Sequence, residues 1–102
     1  LDEVLNIIEE NYQLMKSILE EKLPKVWIPK LEGTYLMWID LGAYVSAQEI
    51  ETVIQKQCGL AVDYGSWFGG EAYGTFIRVN LANEKENIRL AAEKIVEVLE
   101  AK

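Results

Sequence analysis

The chain has 102 residues, a formal net charge of -7 and a sequence pI near 4.6. Half of the residues are hydrophobic, so a chain of this length can enclose the core of one domain. The negative charge argues against nucleic acid or an anionic membrane surface as a partner, because both bind clustered cations. The absence of histidine and the single cysteine exclude Ser/His and Cys/His nucleophiles, an internal disulfide and most transition-metal sites.

Three further features of the sequence concern its cellular context. No apolar run approaches the ~20 residues of a membrane span, and the N-terminus lacks the pattern of a signal peptide. Cys58 suits a reducing cytoplasm, and it is expected to be a small buried hydrophobe beside a helix end, because no cationic neighbour is visible that would make it a thiolate. The chain begins on an amphipathic helix without a methionine, so we expect a piece of a longer protein.

Residues 1–22 are predicted to form one long helix, because apolar side chains recur at steps of three and four without Gly or Pro. This main stripe comprises Leu1, Leu5, Ile8, Tyr12, Met15 and Leu19. A second apolar line comprises Val4, Ile7, Leu14 and Ile18. The combined stripe is wider than a surface helix needs. Either protein missing from this chain covers the second flank, or the helix buries both flanks in its own domain.

The segment after this helix is predicted to be extended. The helix ends at Leu23-Pro24, and the flanking prolines confine residues 26–28 to the edge of a sheet. Residues 34–41 are rich in aromatic and other strand-favouring residues, which predicts a strand. Both faces of this strand are apolar, so we expect it to be central and covered on both sides, with Tyr35 and Trp38 in the core.

The middle of the chain carries a helix signal and a short strand signal. Ser46 and Glu49 have the spacing of a capping box, which predicts that a helix begins there. Gly59 stands where a left-handed residue would end that helix. Residues 60–62 are then predicted to form a short strand.

The stretch from Tyr64 to Gly74 contains four glycines around Trp67 and Phe68, which predicts a loop that can approach another surface closely. In the strand predicted for residues 75–81, alternation places Arg78 on the face away from the aliphatic core.

A closing helix is predicted after Asn83, with Glu86 as part of a second cap pattern. The order α-β-α-β-β-α predicts an α+β fold with helices on one face of a small, largely antiparallel sheet.

The candidate site residues each have two interpretations. Arg78 is either a surface cation paired with a carboxylate, or a planar donor that captures a carboxylate or phosphate through two parallel hydrogen bonds. Trp67 and Phe68 either pack back on the sheet or line a ligand site. The carboxylates of the first and last helices form solvated faces, and none stands where acid–base chemistry is expected.

Two stretches together carry a family resemblance. They are Leu31-Glu32-Gly33-Thr34-Tyr35-Leu36-Met37-Trp38-Ile39-Asp40-Leu41 and Gly65-Ser66-Trp67-Phe68-Gly69 followed by Phe76-Ile77-Arg78-Val79-Asn80-Leu81-Ala82. Across essentially the whole chain, the sequence resembles the C-terminal small domain of class I/II (fold type I) pyridoxal-phosphate aminotransferases. Within these it is most similar to the cystathionine β-lyase-like C–S lyase branch.

The resemblance implies a cofactor, a substrate and partners for a larger parent protein. It implies that Arg78 binds the α-carboxylate of an amino acid and that residues 66–69 lie at the mouth of the active site, with Trp67 and Phe68 as substrate-binding residues. It also implies that the parent uses pyridoxal 5'-phosphate, is a homodimer, and carries its Schiff-base lysine on a large domain. We therefore expect no catalytic, cofactor-binding or metal-binding residue in this chain, and no activity from it alone. Tyr64 departs from the family pattern, in which some relatives carry proline or aspartate.

Residues 1–102 are thus interpreted as one substrate-positioning domain of a pyridoxal-phosphate enzyme. The sequence does not distinguish transamination from C–S β-elimination. The alternative is a free-standing acidic module that binds a protein through the aromatic-glycine loop and the first helix. The apolar flank of that helix could also drive self-association.

Overall fold

The computed structural model describes residues 2–31, 35–60 and 62–101, and side chains within this part from residue 6 onward. Its elements are α1 (Asp2–Lys22), β1 (Leu36–Asp40), a π-helix (Thr52–Gln57), β2 (Asp63–Tyr64), α2 (Ser66–Gly69), a 3₁₀-helix (Gly70–Tyr73), β3 (Phe76–Asn80) and α3 (Lys85–Glu100). The predicted α+β class is confirmed, and the predicted order of elements holds except that two short helical turns lie between β2 and β3. Within the described ranges, no helix combines the length and the apolar character needed to cross a membrane.

The three strands form one antiparallel sheet in the order β1-β3-β2. The prediction that the residue 34–41 strand is central is therefore wrong, because β3 occupies the centre. A single antiparallel bridge between Trp27 and Asp40 extends the sheet beyond β1, as the flanking prolines predicted for an edge. The second apolar face of β1 belongs to a surface groove described below, which explains why its sequence resembles that of a covered strand.

One face of the sheet lies in the hydrophobic core. Met37 and Ile39 of β1 and Ile77 of β3 are at most 1% exposed, and they share this core with the buried stripes of α1 and α3. The two long helices also pack against each other. Helices therefore cover this face, as predicted, and Arg78 stands on the other face.

The second apolar flank of α1 is partly covered by this chain. Leu14 and Ile18 pack against the core, whereas Ile7 is about half exposed. Leu1 and the side chains of Val4 and Leu5 lie outside the described residues. The flank is thus partly buried at Leu14 and Ile18 and exposed at Ile7.

Asn11 joins α1 to the chain that leaves β3. Its side chain is 1% exposed, and Nδ2 donates hydrogen bonds to the carbonyl oxygens of Leu81 and Asn83, each at 2.9 Å. Among the described residues, Oδ1 has no hydrogen-bond partner. Asn11 therefore fixes the helix to the end of the strand that carries Arg78.

The helix predicted from Ser46 begins later. The Ser46 amide donates to Glu49 Oε1 at 3.0 Å, which is one half of the predicted capping box, but residues 46–49 form a turn and the helix begins at Ile50. It continues as a π-helix, which the spacing of its apolar residues did not predict. Gly59 has φ +70°, so the left-handed end predicted there is confirmed.

Two other element boundaries differ from the prediction. The strand expected at residues 60–62 is wrong, because β2 is formed by Asp63 and Tyr64, and Ala61 lies outside the described residues. The closing helix begins at Lys85 with Glu84 as its N-cap residue. Asn83, expected to be the cap, accepts from the Glu84 amide at 2.7 Å through its side-chain oxygen.

Candidate functional site

The glycine-rich stretch between β2 and β3 forms two short helical turns, α2 and the 3₁₀-helix, where an irregular loop was predicted. Gly70, between the turns, has φ +65°, a conformation that favours glycine. Gly69 is needed for a different reason, because a Cβ atom at this position would collide with the ring of Tyr73. Gly70 therefore serves the backbone conformation and Gly69 the close packing, and the two aromatic side chains of α2 are exposed.

Arg78 lies at the centre of a row of side chains that crosses all three strands. In the antiparallel register, Trp38 of β1 stands opposite Arg78 on one side and Asp63 of β2 on the other. Arg78 Nε and Nη2 both donate to Asp63 Oδ2, at 3.1 and 2.8 Å. The ion-pair interpretation of Arg78 thus describes the geometry, with Asp63 as the carboxylate.

Two aromatic rings hold the Arg78 guanidinium from the side. Its Cζ atom lies 4.1 Å from the centroid of the Phe68 ring and 5.6 Å from that of Trp38. A guanidinium over the face of an aromatic ring is attracted by the ring quadrupole, more strongly where water is excluded. The Arg78 side chain is 22% exposed, so its position is set by the ion pair and the two rings together.

The Asp63 pair leaves part of the guanidinium available. A guanidinium has five N–H donors in one plane. Two of them are directed at Asp63, and no acceptor within the described ranges meets the other three. Arg78 can therefore bind a further anionic oxygen without losing Asp63, and its assignment as a substrate-binding residue stays a prediction.

The two aromatic residues predicted for the site point in different directions. Phe68 contacts Arg78, whereas Trp67 packs on Tyr64, with ring centroids 5.2 Å apart. The structure therefore brings Phe68 and Arg78 together and does not bring Trp67 to them. Trp67 is 60% exposed and remains a predicted substrate-binding residue that lies apart from the guanidinium.

An open groove of about 350 Å³ adjoins Arg78 on this face of the sheet. We call it the aromatic groove; it is lined by Trp27, Pro29, Trp38, Phe68, Gly69, Tyr73 and Phe76. Phe76 makes edge-to-face contacts with Trp27, Trp38 and Tyr73, with ring centroids 5.5 to 6.3 Å apart. Tyr35, expected in the core, is 49% exposed, and Trp38, also expected there, is half-buried and lines the groove.

Sequence reasoning missed most of the groove and the partner of Arg78. Phe76 could have been found, because the alternation of β3 already placed it on the same face as Arg78. Asp63 and Trp27 gave no such signal, since their neighbours depend on strand register and on the edge bridge to Asp40. Tyr73 is brought in by the 3₁₀-helix.

Two titratable side chains in the core have shifted pKa values. Burial raises the pKa of the Cys58 thiol, while the nearby Lys94 charge opposes part of this effect. Burial also raises the pKa of the Tyr64 phenol, and the Glu51 charge adds to it. Both groups are thus kept neutral, so neither is prepared for nucleophilic or general-base chemistry.

Among the described residues, no lysine lines the aromatic groove. Lys16, Lys85 and Lys94 form ion pairs with glutamates of α1 or α3. Within the described ranges, no three His, Cys, Asp or Glu side chains group as they would around a metal ion. The chemistry available to this site is binding and orientation of an anion beside an apolar surface.

Comparison with known proteins supplies relatives for this arrangement. No protein-family model matches the chain. The chain is 33% identical over 81 residues to the cystathionine beta-lyase PatB of Bacillus subtilis strain 168. The aligned segment covers 78% of this chain and 21% of that enzyme. It is also 28% identical over 99 residues to the cystathionine beta-lyase of Corynebacterium glutamicum, and this alignment covers 97% of this chain and 26% of that enzyme.

A solved structure extends this similarity to three dimensions. Cystalysin from Treponema denticola, whose crystal structure contains a pyridoxal 5'-phosphate cofactor, matches with a TM-score of 0.89 and 29% identity. The match covers 98% of this chain and 25% of cystalysin. The chain therefore spans about a quarter of the length of the relatives it matches, and the resemblance to cystathionine β-lyase-like enzymes is confirmed.

Proposed function

We propose that residues 1–102 are the substrate-positioning domain of a larger pyridoxal-phosphate enzyme that acts on an amino acid. The parent would be a C–S lyase or an aminotransferase, and Arg78 would bind the substrate α-carboxylate. The similarity to one quarter of two cystathionine β-lyases and of cystalysin supports this proposal. The rest of the parent would supply the cofactor site, and a homodimer in the cytoplasm is the assembly we expect.

The observation that carries the proposal is the environment of Arg78. Asp63 and the rings of Phe68 and Trp38 hold the guanidinium, while three of its N–H groups are free among the described residues. A carboxylate that accepts two of these N–H groups has a fixed orientation as well as a fixed position. Arg78 also stands on the central strand, whose neighbours on both sides hold it in place.

This geometry gives the domain a role in orientation. When bound to the parent, pyridoxal phosphate supplies an electron sink for cleavage of a bond at the substrate Cα atom. Which bond breaks depends on how the amino acid is held, and Arg78 would fix one end of it. Because the Schiff-base lysine is expected on the rest of the parent, and no described lysine lines the aromatic groove, we expect this chain alone to be inactive.

The test replaces Arg78 in the full-length enzyme. Arg78→Lys keeps the positive charge and removes the planar pair of donors, so the loss of one charge-assisted hydrogen bond should raise KM about ten- to a hundredfold. Arg89→Lys is the matched control, because Arg89 pairs with Glu86 and Glu93 on the surface of α3. The control should leave KM unchanged.

A second ligand makes the test specific to the carboxylate. The wild-type enzyme should bind an amino acid more tightly than the corresponding amine without a carboxyl group, and Arg78→Lys should reduce this difference. If Arg78→Lys has the KM of the wild type, the assignment of Arg78 is wrong. If the gene encodes no further domain that can hold the cofactor, the enzyme-domain proposal itself fails.

A further inference from the structure

The Arg78 guanidinium has two edges that can each bind a pair of oxygens, and Asp63 occupies one of them. Nε and Nη2 form the side edge of the plane, and both donate to Asp63 Oδ2, at 3.1 and 2.8 Å. The second hydrogen of Nη2 and the two hydrogens of Nη1 meet no acceptor among the described residues. One Nη1 hydrogen is parallel to the free Nη2 hydrogen, so the end of the guanidinium is the edge left for a ligand.

The neighbours of the pair restrict the rotation of the guanidinium. Asp63 stands opposite Arg78 in the register of β2 and β3. The rings of Phe68 and Trp38 have their centroids 4.1 and 5.6 Å from Arg78 Cζ. A guanidinium that turned away from Asp63 would lose two hydrogen bonds together with these aromatic contacts. The free end of the guanidinium is therefore held in one direction before a ligand arrives.

Asp63 also offsets the charge of Arg78. The two side chains form an ion pair with 2.8 Å between Nη2 and Oδ2, and the pair carries no net charge. An anion that approaches the free end is attracted by the guanidinium and repelled by the carboxylate behind it. Two parallel hydrogen bonds, rather than net charge, then supply most of the affinity. Such a site favours a carboxylate, which has two coplanar oxygens, over chloride, which has no preferred direction of binding.

We propose that Asp63 is a positioning residue for the substrate carboxylate. It fills the side edge of the Arg78 guanidinium and offsets its charge, so the carboxylate binds end-on through Nη1 and Nη2 in one fixed orientation. Asp63 acts through Arg78 and does not itself contact the substrate. This inference rests on the proposed function, because it takes a carboxylate as the ligand of Arg78.

Two substitutions separate the acceptor of Asp63 from its charge. Asp63→Asn removes the charge and keeps an oxygen that can accept from Nε and Nη2, whereas Asp63→Ala removes both. The Asp63 side chain is 42% exposed, so neither change takes packing out of the core. Calorimetry with the full-length holoenzyme measures the dissociation constant of propanoate, an unreactive carboxylate. Asp63→Asn should tighten propanoate binding about three- to tenfold, because the repulsion is removed. Asp63→Ala should bind propanoate about two- to tenfold more weakly than Asp63→Asn, because the ligand must then order the guanidinium.

The salt dependence of binding reports the charge separately. Between about 50 and about 500 mM NaCl, the dissociation constant should rise less than about twofold for the wild type and about threefold or more for Asp63→Asn. Asp40→Asn is the matched control, because Asp40 lies on the same face of the sheet and accepts from Thr75 and Gly42 instead of Arg78. This control should change the affinity and its salt dependence less than Asp63→Asn does.

The possible outcomes separate the role of Asp63 from that of Arg78. Equal propanoate affinities for Asp63→Asn and Asp63→Ala would show that Asp63 does not position the guanidinium, and the inference would be overturned. It would also be overturned if Asp63→Asn had the affinity and the salt dependence of the wild type. In both cases the role of Arg78 stands if Arg78→Lys weakens propanoate binding. If Arg78→Lys has no effect on propanoate, the proposed function fails and the role of Asp63 fails with it.

Discussion

Replacing Asn11 by aspartate changes one buried amide into a carboxyl group where both neighbours are acceptors. Nδ2 of Asn11 donates to the carbonyl oxygens of Leu81 and Asn83, and the side chain is 1% exposed. An ionised carboxylate in this position is a buried charge without a donor, which costs about 3–5 kcal/mol. We therefore expect Asn11→Asp to be strongly destabilising at neutral pH.

The pH dependence of this loss follows from the burial. The introduced carboxyl has a pKa near 3.9 in the unfolded chain and a higher pKa in the folded chain. Relative to the wild type, the variant is most stable below pH ~4, where the group is neutral in both states. Its free energy of unfolding then falls by about 1.4 kcal/mol per pH unit until the folded pKa is passed.

Urea denaturation of the chain, followed by far-ultraviolet circular dichroism at several pH values, measures this difference. Asn11→Ala should cost a smaller amount, about 1–2 kcal/mol, because it deprives the Leu81 and Asn83 carbonyl oxygens of this donor but introduces no charge and removes the unpartnered Oδ1. Its loss should not depend on pH. Asn6→Asp is the exposed control, with a change within about 0.5 kcal/mol. An equal loss for Asn11→Asp at acidic and neutral pH would refute the reasoning.

Two further predictions concern stability and the core. Gly69→Ala should cost about 1–3 kcal/mol in urea denaturation, because its Cβ collides with the Tyr73 ring. In a chain that carries Tyr73→Ala, which removes this ring, Gly69→Ala should cost less, and an unreduced cost would contradict the collision. Burial raises the pKa of Cys58 and the pKa of Tyr64 in the folded chain. Each group therefore adds stability at pH values below its unfolded pKa, and this contribution is lost as the pH rises through its folded pKa. As the pH rises above ~9, the free energy of unfolding should therefore fall less for a variant with both Cys58→Ala and Tyr64→Phe than for the wild type. Urea denaturation at several pH values measures both falls, and equal falls would refute this prediction.

Elements with a long repeat were the ones that the sequence predicted. The stripes of α1 and α3 and the alternation of β3 extend over enough residues to identify both the element and its buried face. The alternation of β3 also placed Arg78 on the correct side of the sheet. The two residues of β2 are too few to give any alternation, so the strand was assigned to residues 60–62 instead.

The composition of the candidate site was less accessible to sequence reasoning. The pairing of Arg78 with Asp63 depends on the register across a connection that folds into two helical turns, and no local pattern specifies it. Trp67 and Phe68 are adjacent in sequence, and the turn of α2 sends one to Tyr64 and the other to Arg78. Burial on both faces of β1 was inferred from its aromatic residues, although one of those faces lines an open groove.

The position of β3 between two strands makes Arg78 a fixed point of the site. A shift of Arg78 along or out of the sheet would break the pairing with β1 and β2 at once. Phe68 belongs to a four-residue turn outside the sheet, and its amide donates to the Gly65 carbonyl oxygen at 3.0 Å. An anion bound by Arg78 would therefore be held by the sheet itself, whereas the ring beside it is held by a single helical turn.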